Sequence, residues 1–409
     1  MNILERFLKY VNIPTFSDAH TSTHPSTKEQ KNLAHILVHE LIDMGLEVYY
    51  DKAHCYVYGY LKGNVEAPSI GFVSHLDTSE AAKGKINPRV IANYDGEDIT
   101  LKENTFSKVR DYPDLKNHVG KTLITTDGNS LLGADDKAGI AEIMTMIEYL
   151  VNNQVNHGDV YIAFTPDEEI GEGILYFDFE HFKADYAYTV DGSSLGELNY
   201  ENFNAAKVTI TIDGKPCHLG DAKDKLVNAL SIGYMIHALL PKEFPENTEK
   251  YEGYYHLDHI EGDVSKAVYT YLIRDFNDIN FLYRKNYFLK IKDSLNARYG
   301  NIINVDIKDT YFNMESEIKK NMHLIDIAKK VMEDEGITPI ILPVRGGTDG
   351  AELTKMGLPC PNIGTGGHNF HSIYEYVALE DMEKTSEILI GIVKEYAKVE
   401  NQKLIRNKD

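Results

Sequence analysis

Apolar positions along this chain recur with two different periods, and the changes of period divide it into elements. Ile3, Leu4, Phe7, Leu8 and Val11 fall at helical spacing with Glu5, Arg6 and Lys9 between them. That pattern predicts an amphipathic helix and not the apolar core of a signal peptide. A second helix is predicted over 28–45. Ser69–Ser74 (SIGFVS), Val160–Thr165 (VYIAFT) and Tyr186–Val190 are short apolar runs, as expected of buried strands, and Lys137–Val151 is helical by period. Strands alternating with helices predict an α/β layer on a largely parallel sheet.

From about Ala206 to Tyr311 the pattern changes. Lys207–Asp213 alternates as a strand and Lys225–Leu239 reads as a helix. Tyr254–Glu261 and Ala267–Arg274 read as strands, Phe281–Ala297 as a helix and Ile302–Lys308 as a strand. This β-α-β-β-α-β order predicts a ferredoxin-like domain over 206–313, inserted into a first domain of 1–205 and 314–409. The first domain resumes with a helix over 322–333 and closes with one over 380–398. A length of 409 residues suits two or three domains.

Charge and cysteine content narrow the function. A formal net charge of -21 argues against nucleic acid or an anionic membrane as partner, since both repel it. No uninterrupted run of about 18 apolar residues exists, so no membrane span is expected. Cys55, Cys217 and Cys360 are odd in number and far apart, which suggests neither a disulfide framework nor a paired-cysteine site. Reduced thiols in a cytoplasmic protein are the simple expectation.

The chemistry-bearing residues sit where predicted strands end. His75-Leu76-Asp77 follows SIGFVS, and alternation along a strand puts His75 and Asp77 on one side. The imidazole could bind a metal and the carboxylate could orient it. The signal is cheap taken alone: His256-Leu257-Asp258 repeats it inside the inserted segment, where a structural role is expected. Asp135-Asp136-Lys137, in GADDKAG, opens a helix, so its carboxylates could be helix caps or ligands. Asp167-Glu168-Glu169 follows VYIAFT, and acids at the end of a buried strand are costly without a partner. One Glu could bind metal while its neighbour acts as general base. Asp191 ends a third strand, and either His368 or His371, in GTGGHNFHS, could be a further ligand. Together His75, Asp135, Glu169, Asp191 and His371 make a donor set suited to zinc, cobalt or manganese, with Asp135 the candidate to bridge two ions.

Long stretches then resemble the peptidase T family, tripeptide aminopeptidases of the dizinc exopeptidase clan. They include SHLDTS, TLITTDGNSLLGADDKAGIAEIM, HGDVYIAFTPDEEIGEG, YAYTVDG, GELNYENFNAA, PVRGGTDGAEL and HNFHS, within about residues 70–372. The resemblance implies a cytoplasmic metallo-aminopeptidase acting on short peptides, with two divalent ions, zinc foremost. A dipeptidase or N-acyl-amino-acid deacetylase of the same clan is the alternative. It implies that His75 and Asp191 hold one ion, Glu169 and His371 the other, and that Asp135 bridges them. Glu168 would be the general base and Asp77 would orient His75. His218, Asn228, Arg274 and Arg345 would lie near the substrate. The Asp135–Asp136 peptide would be cis. The inserted domain would act as a lid and form a homodimer, with His218 entering the partner's site. Relatives commonly read His-Pro-Gly-Thr after the first inserted strand. Here His218-Leu219-Gly220-Asp221 departs at Leu219 and Asp221, which bears on the shape of that segment and not on the metal ligands.

Overall fold

A computed structural model describes residues 1–399 as two compact units. The first comprises Met1–Tyr200, Ser316–Leu342 and the chain from Thr348 onward. The second comprises Glu201–Glu315 and Pro343–Gly347. It includes the short return segment because Val344 donates its N–H to Glu201 and bridges to Asn202.

In the first unit an eight-stranded sheet runs in the order Glu47–Asp51, Tyr56–Leu61, Val160–Thr165, Ile70–His75, Tyr186–Gly192, Asn362–Gly364, Glu197–Asn199, Ile340–Ile341. The four middle strands, Val160–Thr165 to Asn362–Gly364, are mutually parallel. Outside them the pairings of Glu47–Asp51, Tyr56–Leu61 and Glu197–Asn199 with their inner neighbours are antiparallel. Beyond Glu197–Asn199 the outermost pair, with Ile340–Ile341, is parallel again. The sheet is therefore mixed, and the expectation of a largely parallel sheet holds for its four-stranded centre and not for the hairpin edge. The reason is connection length. Four residues join Glu47–Asp51 to Tyr56–Leu61, enough for a hairpin and far too few for a parallel crossover.

Burial follows the same division. All six residues of Ile70–His75 are buried, so this strand shows no alternation and reads as a continuous apolar run. The helix Ala134–Asn153 packs on Ile70–His75 and Tyr186–Gly192. At Gly139 its backbone comes so close that an added Cβ would lie 1.9 Å from the carbonyl oxygen of Val190. A side chain there would push the helix, and the loop that opens it, off the sheet. The closing helix Leu379–Tyr396 packs against Ala134–Asn153, and Met382, Leu389 and Val393 are among its buried residues. A small antiparallel sheet joins Gly367–His368, Tyr376–Ala378, Leu123–Thr125 and Arg89–Ile91. It ties the chain leading into Ala134–Asn153 to the hairpin that carries His371.

The second unit has its own core. Asn204–Asp213, Tyr254–Gly262, Lys266–Asp275 and Ile303–Tyr311 form an antiparallel sheet in which Asn204–Asp213 lies between Lys266–Asp275 and Ile303–Tyr311. The helices Ala229–Leu239 and Asp278–Tyr299 complete a β-α-β-β-α-β order. Val208, Ile210, Ile232, Tyr271, Phe281 and Phe288 are among the buried residues that hold it together. Both helices start at an asparagine, Asn228 and Asn277, whose side-chain oxygen accepts the first free N–H groups. Among the described residues, no helix is long and apolar enough to cross a membrane.

Candidate metal centre

The parallel strands Ile70–His75, Val160–Thr165 and Tyr186–Gly192 deliver His75, the Glu168–Glu169 turn and Asp191 to their C-terminal ends, where open α/β sheets place their sites. Asp135 comes from the start of the helix packed on them. Its backbone is not yet helical there (φ -84°, ψ 101°), and the Asp135–Asp136 peptide is cis, as the resemblance implies.

Asp135 lies between two histidines. Its Oδ1 is 2.9 Å from His75 Nε2 and its Oδ2 is 3.1 Å from His371 Nε2. Each histidine meets a second carboxylate: Asp191 Oδ1 lies 3.4 Å from His75 Nε2, and Glu169 Oε2 lies 2.8 Å from His371 Nε2. The five expected ligands thus converge on one place. Donor atoms of His75, Asp135 and Glu169 lie within 4.8 Å of one another, and so do those of His75, Glu168 and Asp191. His371 is the most solvent-exposed of the set, 49% for its side chain, and its φ of 58° is left-handed. His368 is a different case. It is buried, stacked on Tyr376 and edge-on to His118, and burial pushes its pKa down to about 4.

Around these donors the chain is heavily braced. His75 Nδ1 is 3.0 Å from the Asp77 carbonyl oxygen, so an N–H donated there leaves Nε2 free to bind a cation. The Asp77 side chain does a second job. Its two oxygens accept the N–H groups of Glu168 (3.0 Å) and Glu169 (3.2 Å). Asp136 turns away from the cluster and accepts the N–H of His75 (3.2 Å) and of Gly139 (3.3 Å). Adjacent aspartates in one motif therefore serve different purposes. Asp167, wholly buried with a left-handed φ of 56°, accepts hydrogen bonds from Ser26 and Gln30, and donates its own N–H to the Gln30 side chain at 3.2 Å.

Charge explains what this arrangement is suited to. Burial raises the pKa of Glu169 to about 7 and of Asp191 to about 6, with Asp135 adding repulsion in both cases. Burial and the Asp191 charge push Glu168 well above the usual carboxylate range. Asp349, hydrogen-bonded by the Thr165 hydroxyl (2.7 Å), is raised to about 7 by burial. Several buried acids around two imidazoles carry a repulsion that divalent cations would relieve, and the donor types are those that hard-to-borderline cations accept. The residues fit a pair of metal ions.

Four other expected residues belong to the second unit. His218 has a side chain 84% exposed, and its Nδ1 accepts the Gly220 N–H at 3.2 Å. Leu219 and Asp221 form a single 3-10 turn there, with Leu219 80% exposed. Asn228 uses its Oδ1 as the cap of Ala229–Leu239, a structural task that the sequence pattern did not indicate. Arg274 stacks over Tyr311. Arg345 lies over Phe203 and donates to the carbonyls of Lys250 and Glu252 and to the Thr248 hydroxyl. His256 and Asp258 are ordinary positions of the strand Tyr254–Gly262.

Asp349 and Glu375 are bracing groups to which the sequence pattern gave no role, and Asp136 and Asp167, flagged there only as a possible cap or ligand and as a strand-end acid, brace as well. Glu375 offered a signal: an acid inside the apolar run YEYVA is expensive unless something pairs with it.

Residues 126–395 match the model of peptidase family M20/M25/M40. The chain is 50% identical over 407 residues to Peptidase T of Alkaliphilus oremlandii, covering 97% of this chain and all of that protein. It is 47% identical over 404 residues to Peptidase T of Clostridium novyi, covering 97% and 99%. Among solved structures, aminopeptidase PepT from Bacillus cereus superposes with a TM-score of 0.79 at 22% identity, covering 97% of this chain and 98% of that one. The Bacillus subtilis YXEP protein, a dinuclear metal binding peptidase of the M20 family, gives 0.66 at 13% identity, covering 96% of each. At such identities the two structural likenesses speak for the fold.

Proposed function

The chain belongs to peptidase family M20/M25/M40, and from that membership we propose that it is a two-metal aminopeptidase releasing the N-terminal residue of short peptides, above all tripeptides. The observation that carries this reading is Asp135, whose two oxygens face two histidines, each with a further carboxylate beside it. His75 and Asp191 would hold one divalent ion, Glu169 and His371 the other, with Asp135 shared. Zinc suits this set of imidazoles and carboxylates. When bound, the metals lower the pKa of water and polarise the scissile carbonyl.

The chain's own groups do the rest. Glu168 takes the proton of the attacking water and delivers it to the departing amine. Asp77 holds that turn through two main-chain N–H groups, keeping Glu168 in reach. His218 donates to the oxygen that becomes negative in the tetrahedral intermediate. Its exposed ring suits service to a second copy of the chain, in a homodimer built through the ferredoxin-like second unit, which would also act as the lid. Arg345 donates to three groups of its own unit and Arg274 to one, the Ile273 carbonyl, so the less committed Arg274 is assigned to the substrate's terminal carboxylate. The unpaired thiols of Cys55, Cys217 and Cys360 fit the reducing cytoplasm.

Metal analysis combined with a substrate panel tests this. About two equivalents of metal and turnover of tripeptides ahead of di- and tetrapeptides are expected. Preferential release of acetate from N-acetyl amino acids, or cleavage of dipeptides alone, would move the protein to a deacetylase or dipeptidase of the same clan.

A further inference from the structure

Four residues beyond His371, on the far side of the same hairpin turn, lies a carboxylate with no role in the chemistry above. Glu375 is only 1% exposed. Its Oε2 accepts the N–H groups of Leu132 at 2.8 Å and Gly133 at 2.9 Å, and its Oε1 accepts the N–H of Asp135 at 3.1 Å. Burying a carboxylate is expensive, and three main-chain donors are what offset that cost here. All three belong to the short loop that presents Asp135. Glu375 itself belongs to the turn between Gly367–His368 and Tyr376–Ala378 that presents His371, and its N–H is bonded to the Ser372 carbonyl within that turn. One side chain therefore spans the two loops that supply Asp135 and His371, residues 236 apart in sequence.

We propose that Glu375 is a positioning residue that locks the Asp135 loop to the His371 loop, and so sets how tightly the metal ion on the His371 side is held. The inference rests on the two-metal reading. Asp135 is shared, but the ion on the His75 side depends less on Glu375, because its other two ligands, His75 and Asp191, stand on sheet strands, whereas His371 stands on the same turn as Glu375. Glu375→Gln makes the bond pattern fail at one point. The amide oxygen can still accept from Leu132 and Gly133, but its NH2 then faces the Asp135 N–H, donor against donor. The Asp135 main chain, and with it the angle at which its carboxylate meets His371, loses its anchor.

The test is a chelator titration of the purified zinc-loaded protein, read as bound metal per chain, beside thermal melts of the metal-free forms. The parent is expected to release its ions at two chelator concentrations. The ion on the His371 side, whose histidine is half exposed where His75 is buried, is the weaker of the two, and in Glu375→Gln it should leave at about 10–100-fold lower chelator, the usual effect of losing an outer partner of a metal ligand. The tighter ion and the metal-free Tm should stay near parental. Equal retention of both ions in parent and variant overturns the proposal. So does a parallel loosening of both ions with a lowered metal-free Tm, which is what a merely structural role predicts. If Glu375→Gln does not fold, Glu375→Asp decides by the same titration, since it keeps the charge but draws the oxygens back by one methylene. A parent that takes up fewer than two equivalents defeats the two-metal reading itself, and the proposal with it.

Discussion

Asp135 in the first unit is held at both ends, its N–H by Glu375 and its carboxylate between two histidines, whereas His218 in the second unit meets only its near neighbours in sequence, the N–H of Gly220 and, at 4.0 Å, the exposed carboxylate of Asp221. The contrast extends to their neighbours. His75, Asp191 and the Glu168–Glu169 turn stand at the ends of buried strands, with Asp77 and Asp136 bonded to the main chain around them. His218 and Leu219 stand in solvent on a single turn. The difference is the one their tasks require. Metal ligands must keep their geometry before the ion arrives, so buried acceptors of main-chain N–H groups hold them at a cost in folding stability. A group that meets substrate, or another subunit, needs freedom to reach it.

The sharpest way to break this comparison is Glu168→Gln. If the braced cluster binds metal through the other carboxylates and Glu168 moves the proton, the variant keeps its metal while kcat falls by about 10²–10⁴-fold. Loss of metal along with activity would make Glu168 a ligand, a role its closeness to His75 and Asp191 also permits. Near-normal turnover would place the base elsewhere.

His218→Ala probes the free side of the comparison. The expected fall in kcat is about 10²–10³-fold, the effect of removing one donor to an oxyanion, with metal content and Tm nearly unchanged because the side chain is exposed and meets only Gly220 and Asp221 of its own turn. Mixing it with Glu168→Ala after dissociation and reassembly shows whose site it serves. If His218 crosses to the partner, half the dimers are hybrids with one complete site each, and roughly a quarter of parental activity returns. Recovery near zero after proven exchange confines His218 to its own subunit.

The smallest effect concerns acid. Burial pushes His368 and His323, both in the first unit, down to about 4. The unfolded chain protonates these histidines near 6.5 while the folded chain does not, so the unfolded state binds more protons between those values. Stability from this source is complete above about pH 6.5 and is lost as pH falls towards 4, on the order of 1–3 kcal/mol, with partly exposed His323 contributing the smaller share. Urea midpoints measured from pH 7 to 5 should decline in the parent and decline less in the His323→Gln His368→Gln double variant. Hydrogen exchange should place the loss in the first unit. Parallel slopes in parent and double variant would remove the claim.

Much of the site was legible because its parts are local. SIGFVS and VYIAFT are mostly apolar and carry no charge, so both their strand character and their burial can be read along the chain, and an acid or histidine directly after such a run must be paired or functional. The long segments shared with the peptidase T family then suggested a role for each. The helix and strand order of the second segment was legible for the same reason, since period alone separates helix from strand. Short strands such as Glu197–Asn199 and Ile340–Ile341 were not, because two or three residues carry no period.

Local pattern along the chain places the acids and histidines at the ends of buried strands. How those groups divide their tasks follows from the packing of distant segments. Asp135 and Asp136 are chemically identical neighbours, yet the backbone turns one towards His75 and His371 and the other towards the N–H groups of His75 and Gly139. Glu375 meets Asp135 across 240 residues, through a hairpin and a small sheet whose pairing no local pattern encodes. The mixed direction of the main sheet likewise follows from which strands are joined by short loops. Periodicity reports which side of an element is buried. Which partner waits on that side depends on how distant segments close on one another, and in this chain that closure brings five ligand candidates and their braces to the same few ångströms.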